Sequence, residues 1–338
     1  LGAICADAGA RRALDLFTGT TRVAQEFKRR GAHVTAVDTA RYAEVFAQCY
    51  VALDADAVDR DEIADALADL GTRPDVEGYA TETFCIRSRF FQPHNGRRID
   101  AIRDAIERDY RDSWLYPVLL TSLLEAADRV DSTTGVQMAY VKQWAPRSFQ
   151  PLTLRVPELV AGEGVALRAD ACDVVKTAGA FDLAYLDPPY NQHRYFTNYH
   201  VWETIVAWDA PEHYGVACKR VDARDPGTKS VFNERRAMPG ALAQTIRDVD
   251  AALVVVSYNN EAWITIEELQ AACAQRGGAV RVLAFDSRRY VGALIGIHDP
   301  NGKKVGRVSH VRNVEYVMLA GAPELVEAMC KSPAMSLS

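Results

Sequence analysis

Asp187-Pro188-Pro189-Tyr190 follows the apolar run Phe181, Leu183, Ala184, Tyr185, Leu186 with nothing between them. Paired prolines remove two backbone donors and fix two φ angles, so a strand stops there with a stiff, extended exit. A carboxylate and an aromatic ring are thereby held at a strand's carboxyl end, the edge at which open α/β sheets bind ligands. A second set lies far upstream. Asp15, Phe17, Thr18, Gly19 and Thr20 leave the apolar run "RRALDLF", and Asp38 closes the next one, "HVTAVD". A glycine just past a strand lets the chain turn tightly and leaves amides facing a ligand. An acid ending the second strand can accept both hydroxyls of a ribose. No phosphate-binding lysine follows Gly19 and no G-x-G-x-x-G pattern is present, so the loop suits a nucleoside better than a dinucleotide or a triphosphate. Taken singly, a strand cap explains Asp38 equally well, and an ordinary tight turn, such as many α/β proteins make, explains Gly19 better.

The elements that must position these residues read as α/β. Residues 11–17 and 33–38 are expected to be buried strands, with a helix over 21–30 between them, one βαβ opening. Helical patterns follow at about 42–53, 59–70, 97–109 and 113–129. Strands resume at 165–170, 182–187 and 252–258, and 279–285 with 314–319 could close a hairpin through a long insert. The expected organisation is a mostly parallel sheet of residues 1–54 and 156–325, interrupted by a mainly helical insertion over 55–155 and a smaller basic one over 286–312.

With 338 residues the chain can bury a sizeable core. No apolar run approaches the roughly 20 residues of a membrane span, and the first residues lack a signal-peptide layout, so a soluble cytoplasmic protein with no membrane partner is expected. Seven scattered cysteines, without C-x-x-C, suggest reduced thiols and no metal site. Net charge is −6, which argues at first against a nucleic-acid partner. Its distribution argues otherwise. Residues 51–82 hold ten acids against two arginines, whereas 85–98 carry Arg87, Arg89, Arg97 and Arg98 with no acid. Residues 140–155 add Lys142, Arg147 and Arg155 unopposed, and 281–312 hold seven Lys/Arg, Lys303, Lys304 and Arg307 among them, against two Asp. Basic segments that also carry Phe, Tyr, Trp and Asn look like a nucleic-acid footprint, although solvated surface charge would explain any one of them.

With the nucleoside loop after the first strand and Asp187-Pro188-Pro189-Tyr190 after the fourth, the sequence resembles the amino-group DNA methyltransferases, specifically the adenine-specific ones. That family has a D-x-F-x-G loop, matched here by Asp15, Phe17 and Gly19, and a DPPY tetrapeptide some 170 residues later, with target recognition between them. The stretches "NQHRYFTNYHVWETI", "SYNNEAWIT" and "RVSHVRNVEY" are similar to one branch of it, so the resemblance covers nearly the whole chain. Two departures stand out. Thr21 replaces the family's second loop glycine, which should set the helix farther from the cofactor. A Gly/Lys-bearing motif that many relatives carry before the first strand is not found, and native residues are expected to precede Leu1.

The resemblance implies a Rossmann-like S-adenosylmethionine-dependent methyltransferase sheet with helices on both faces, and S-adenosyl-L-methionine as cofactor. Asp15, Phe17, Thr18, Gly19 and Thr20 would form the cofactor loop, Asp38 the ribose clamp, and Asp170 with Ala171 the contact to the cofactor's adenine. An adenine amino nitrogen is a poor nucleophile because its lone pair is delocalised. Hydrogen bonds from it to Asp187 and to the Pro188 carbonyl would favour a tetrahedral nitrogen aimed at the sulfonium methyl, with Pro189 fixing the turn. Tyr190 offers a face on which an extruded base can stack. The implied partner is double-stranded DNA, with a restriction endonuclease as the companion such enzymes can have. Contacts to DNA would come from Arg87, Arg89, Asn95, Arg97, Arg98, Lys142 and Arg147, from the loop after the tetrapeptide (Arg194, Tyr195, Asn198, His200), and from Asn259, Lys303, Lys304 and Arg307. The acidic stretch 51–82 should face away from the duplex. An RNA adenine or guanine methyltransferase would share these motifs, as would a non-catalytic DNA-binding subunit that kept the fold. Cytosine amino methylation is less favoured, since that group more often has Ser at the position of Asp187.

Overall fold

The computed structural model describes residues 1–189, 194–259, 262–288, 297–298, 304–306 and 312–331. A short helix, α1 (Gly2–Asp7), leads into β1 (Arg12–Leu16), α2 (Arg22–Arg29), β2 (His33–Asp38) and α3 (Arg41–Ala47), the last continuing as one π-helical stretch, Gln48–Ala52. After the helical insertion come β3 (Gly164–Arg168), β4 (Phe181–Leu186), β5 (Ala251–Asn259), β6 (Ala279–Arg288) and β7 (Arg312–Gly321). They form one seven-stranded sheet in the order β3-β2-β1-β4-β5-β7-β6. The pairs from β3 to β5 are parallel, and β7 runs antiparallel between β5 and β6. The expected hairpin is thus a pair of adjacent strands. Of the segment between them, Ile297–His298 and Lys304–Gly306 form a short antiparallel ladder, and most of the rest lies outside the described residues.

Alternation along the central strands sends side chains to both faces. On one face Leu14, Leu16, Ala184, Leu186, Val254 and Val256 pack with the helices Met238–Asp248 and Ile266–Ala274. On the other, Ala13, Val34, Ala36, Leu183, Tyr185, Leu253 and Val255 pack with Ile4 and Cys5 of α1, Phe27 of α2, and Val326 and Met329 of the helix Pro323–Lys331. This is an α/β Rossmann-like sheet with helices on both faces. Strand order reverses between β1 and β4, so the crevice at their carboxyl ends is the natural ligand site.

Between β2 and β3 the chain forms α4 (Arg60–Thr72) and the helices Pro93–Tyr110 and Tyr116–Arg129. Asp59 caps α4 by accepting from the amides of Asp61 and Glu62. Arg98 closes its far end by donating to the carbonyls of Leu70, Gly71 and Arg73, a cationic partner for the end that carries unsatisfied carbonyls. The apolar faces of these helices share one core with α3 and with the helix His200–Ala207, through Tyr42, Phe46, Val201, Trp202 and Ile205. The buried guanidinium of Arg103 locks that arrangement by donating to the carbonyls of Ile205 at 2.7 Å and Val206 at 3.0 Å. The insertion is therefore bolted to the chain that follows the Asp187 turn. Among the described residues no helix is long and apolar enough to cross a membrane.

Candidate active site

The turn after β1 uses three residues of left-handed backbone, Phe17 (φ 67°), Gly19 (φ 52°) and Thr21 (φ 63°). Only the glycine adopts this conformation at no steric cost. Thr21, which stands where the resembled family has glycine, is a strained N-terminal residue for α2. It is held by accepting from the Gln25 side chain at 2.9 Å and donating to the Thr20 carbonyl at 2.7 Å. Phe17 is held by an edge-on contact with the buried ring of Phe232, centroids 4.8 Å apart. The Thr18 amide donates to the Val37 carbonyl at 2.9 Å, and the Gly19 amide to Asp38 Oδ2 at 2.9 Å, so the end of β2 fixes the loop. Asp38 Oδ1 accepts from the Ala40 amide at 3.0 Å. Burial raises the Asp38 carboxyl above its ordinary range, against these amide bonds.

Asp15 lies in the floor. It is 1% exposed; its Oδ2 accepts from the Thr18 hydroxyl at 2.8 Å and the Ala24 amide at 3.1 Å, and its Oδ1 has no partner. Burial, opposed by the Thr18 hydroxyl and helped by the charge of Asp187, pushes the carboxyl up to about 7. Asp187 follows directly on β4 and opens onto the crevice, with Pro188 and Pro189 buried behind it. Protein crowds its carboxyl, and this desolvation, with the charge of Glu315 from β7, pushes it up to about 7. Tyr190 lies outside the described residues. Tyr185 pairs in register with Asp15 across β1 and β4, and packs edge-on against Phe27.

These residues enclose one cavity of about 510 Å³, within the roughly 300–1,000 Å³ usual for small-molecule sites. It brings together Asp15, Phe17, Thr18, Gly19, Thr20, Asp38, Asp170, Ala171, Asp187 and Pro189, which the sequence placed in one site although they lie far apart along the chain. Pro188 is buried and not on its lining. Asp170 also caps the short helix Ala171–Val174, accepting from the Cys172 amide at 2.8 Å, so its two readings, cap and site residue, hold together. Sequence reasoning missed Arg22, Arg41, Tyr185, Tyr199 and Glu203, and the strap 227–230 with Asn233. The strap's three-residue 3-10 turns have no period to read, and its link to the site, Phe232 against Phe17, exists only in space. The buried, unpartnered Oδ1 of Asp15 suits a ligand that brings a hydrogen-bond donor or positive charge to it.

Several expected DNA contacts are placed differently. Asn95 is fully buried. It donates to the carbonyls of Ser148 and Gln150 and accepts from the Leu152 amide, a latch inside the insertion. His200 is fully buried between Phe84 and Phe90, and burial lowers it to about 3, so it is neutral and cannot meet a phosphate. Arg97 pairs with Glu77 at 3.3 Å and Arg98 with Asp75 at 3.3 Å. The acids that the stretch 85–98 lacks come from 51–82, because the helix Pro93–Tyr110 packs on α4. Arg147 is pinned on buried Asp131 and on the carbonyls of Asp131 and Thr133. Arg87 pairs with Glu82 at 2.9 Å on the surface. Arg89 donates to the Lys142 carbonyl and lies over the Trp144 ring, while the Lys142 side chain is exposed. Arg194 and Tyr195 line the cavity, the first donating to the Ala223 carbonyl at 2.9 Å. The Asn198 carbonyl accepts from the Gln137 amide, and Asn259 is buried at the end of β5. Lys304 lies in a short strand, and Lys303 and Arg307 fall outside the described residues.

Comparison with known proteins agrees with this geometry. Residues 4–272 match the family model described as D12 class N6 adenine-specific DNA methyltransferase. The chain is 30% identical over 287 residues to the Type II methyltransferase M.NlaIII of Neisseria lactamica, covering 82% of this chain and 83% of that one. It is 26% identical to the Type II methyltransferase M.FokI of Planomicrobium okeanokoites over 82% of this chain, and spans 45% of that longer protein. Similarity to the Type II methyltransferase M.CviAII of Paramecium bursaria Chlorella virus 1 is 30% over 64% of this chain and 65% of that one.

Proposed function

The chain belongs to the D12 class of N6 adenine-specific DNA methyltransferases, and from that premise we propose that it transfers a methyl group from S-adenosylmethionine to the amino group of an adenine flipped out of duplex DNA. The observation that carries this reading is the meeting of Asp15, Asp38, Asp170 and Asp187 around one cavity at the β1/β4 switch point. When bound, the donor supplies a methyl group on a cationic sulfur. Asp38 would take the ribose hydroxyls with the lone pairs its amide bonds leave free, and Asp170 with Ala171 would meet the donor's adenine. Asp15, buried beneath the loop, adds negative potential that favours a cation in the cavity.

Asp187 as carboxylate accepts one amino hydrogen of the target base, and the Pro188 carbonyl the other. This turns the nitrogen lone pair out of the ring plane, and positioning and electrostatics then lower the barrier in a dry site. Tyr190 is the stacking face for the extruded base. We assign residues 55–155 to target recognition, because Arg103 and the shared apolar core tie that insertion to the chain that follows Asp187. A companion endonuclease of the same recognition sequence is the partner this reading implies.

The test is methyl incorporation from labelled donor into duplex DNA and into RNA, by wild type and by Asp187→Ala. Incorporation into DNA alone, lost in the folded variant, is expected. A variant within tenfold of wild type, only about 1.4 kcal/mol of barrier, would remove Asp187 from the chemistry. Preferential labelling of RNA would replace the substrate.

A further inference from the structure

Among the described residues five cations line the cavity: Arg22, Arg41, Arg168, Arg194 and Lys229. Four are engaged by the protein itself. Arg41 pairs with Glu203 at 3.4 Å, Arg168 with Glu44 at 3.6 Å and Lys229 with Glu234 at 2.6 Å, and Arg194 donates to the Ala223 carbonyl at 2.9 Å. The guanidinium of Arg22 makes no ion pair and no hydrogen bond within the described residues, and its side chain is exposed. It stands at the first residue of α2, directly after the strained turn.

On the same turn, Asp15 presents the opposite problem. It is 1% exposed, lines the cavity, and leaves Oδ1 without a partner. Buried unsatisfied polar atoms are rare enough that each calls for an explanation. Asp15 and Arg22 do not pair with each other, although both border the cavity. An α-amino acid group satisfies both at once, its ammonium at Asp15 Oδ1 and its carboxylate on a guanidinium whose planar fork matches it. The donor named above ends in such a group.

We propose that Arg22 binds the α-carboxylate of the donor's methionine portion. The assignment rests on the reading that this cavity takes S-adenosylmethionine. It makes the first residue of α2 a binding residue, and leaves the nucleoside end to Asp38, Asp170 and Ala171.

Titration calorimetry with two probes separates the ends of the ligand. S-adenosylhomocysteine carries the amino acid group, and methylthioadenosine has the same nucleoside without it. Arg22→Met should weaken S-adenosylhomocysteine by about 10- to 100-fold, the range for a hydrogen bond to a charged group, and leave methylthioadenosine unchanged. Arg22→Lys should recover part of the loss. Equal weakening of both probes would mean that the substitution disturbs the loop, and would overturn the assignment. So would unchanged binding of both, or a loss of DNA affinity alone, which would place Arg22 on a phosphate. A wild-type protein that binds neither probe would overturn the cofactor reading itself, a result distinguishable from failure of Arg22.

Discussion

Asp15 and Asp187 both line the cavity, and their carboxyls are pushed up to about 7, by desolvation first and then by neighbouring acids. Ionised Asp187 accepts the amino hydrogen far more strongly than its protonated form, so the rate of methyl transfer at saturating substrates should rise with pH through about 7 and level off above it. A flat profile between pH 6 and 8 would contradict the role. The same shift has a consequence for stability. A carboxyl whose folded pKa exceeds its unfolded value, ordinarily about 3.9 for Asp, binds more protons folded than unfolded, so its contribution falls as pH rises between about 4 and 7. Asp15→Asn removes one such group, and thermal melts of the unliganded protein should show the variant gaining on wild type as pH is raised through that window. A pH-independent difference would show that Asp15 is not held protonated. Asp15, Asp38 and Asp187 were legible because Gly19 and the prolines mark the strand ends at which they sit. Glu203 and Glu315 were not, since an acid within a helix or strand pattern reads as surface until packing surrounds it. Asn95 and His200 failed for the converse reason: beside arginines they resemble contacts, but backbone carbonyls satisfy one and phenyl rings enclose the other.

At the scale of elements, the strands and the longer helices between residues 21 and 129 followed from periodicity, and β2 and β4 begin and end within a residue of expectation, whereas the helices His200–Ala207, Met238–Asp248, Ile266–Ala274 and Pro323–Lys331 were not expected. What periodicity could not show is how the insertion is latched. Asn95→Ala removes three hydrogen bonds and leaves a buried amide and two carbonyls unpaired. It should cost about 2–4 kcal/mol in urea denaturation, in the range for unsatisfied buried groups, with the DNA affinity of the folded fraction unchanged. Full stability with lost DNA binding would restore Asn95 as a DNA contact. The turn after β1 makes a second prediction. Gly19 sits at φ 52°, and a Cβ there would meet only the Phe17 carbonyl oxygen at 4.0 Å, an ordinary contact, so Gly19→Ala costs chiefly the backbone strain of the left-handed region, about 1–2 kcal/mol. Cofactor affinity should fall while the DNA affinity of the unliganded protein stays the same. Unchanged cofactor affinity would show that the turn does not shape the site.

Across the whole molecule the charge segregation read from the sequence is reorganised by folding, because Asp75 and Glu77 neutralise Arg97 and Arg98. Lys142 is exposed and lies beside Arg89, and these two should take the phosphate contacts of the insertion. Lys142→Ala should lower the magnitude of the salt dependence of DNA binding by about one, from a slope of roughly −0.9 per phosphate contacted, and Arg97→Ala should leave it unchanged. The reverse result would put the duplex on the acidic side of the insertion. The central claim is that the cavity at the β1/β4 switch point methylates adenine through Asp187. Its most direct test is to incubate duplex DNA with isotope-labelled S-adenosylmethionine, digest it to nucleosides and weigh the products. Label in N6-methyladenine with wild type, and none with Asp187→Ala, is the expected result; label in another base, or equal label from the variant, would contradict it.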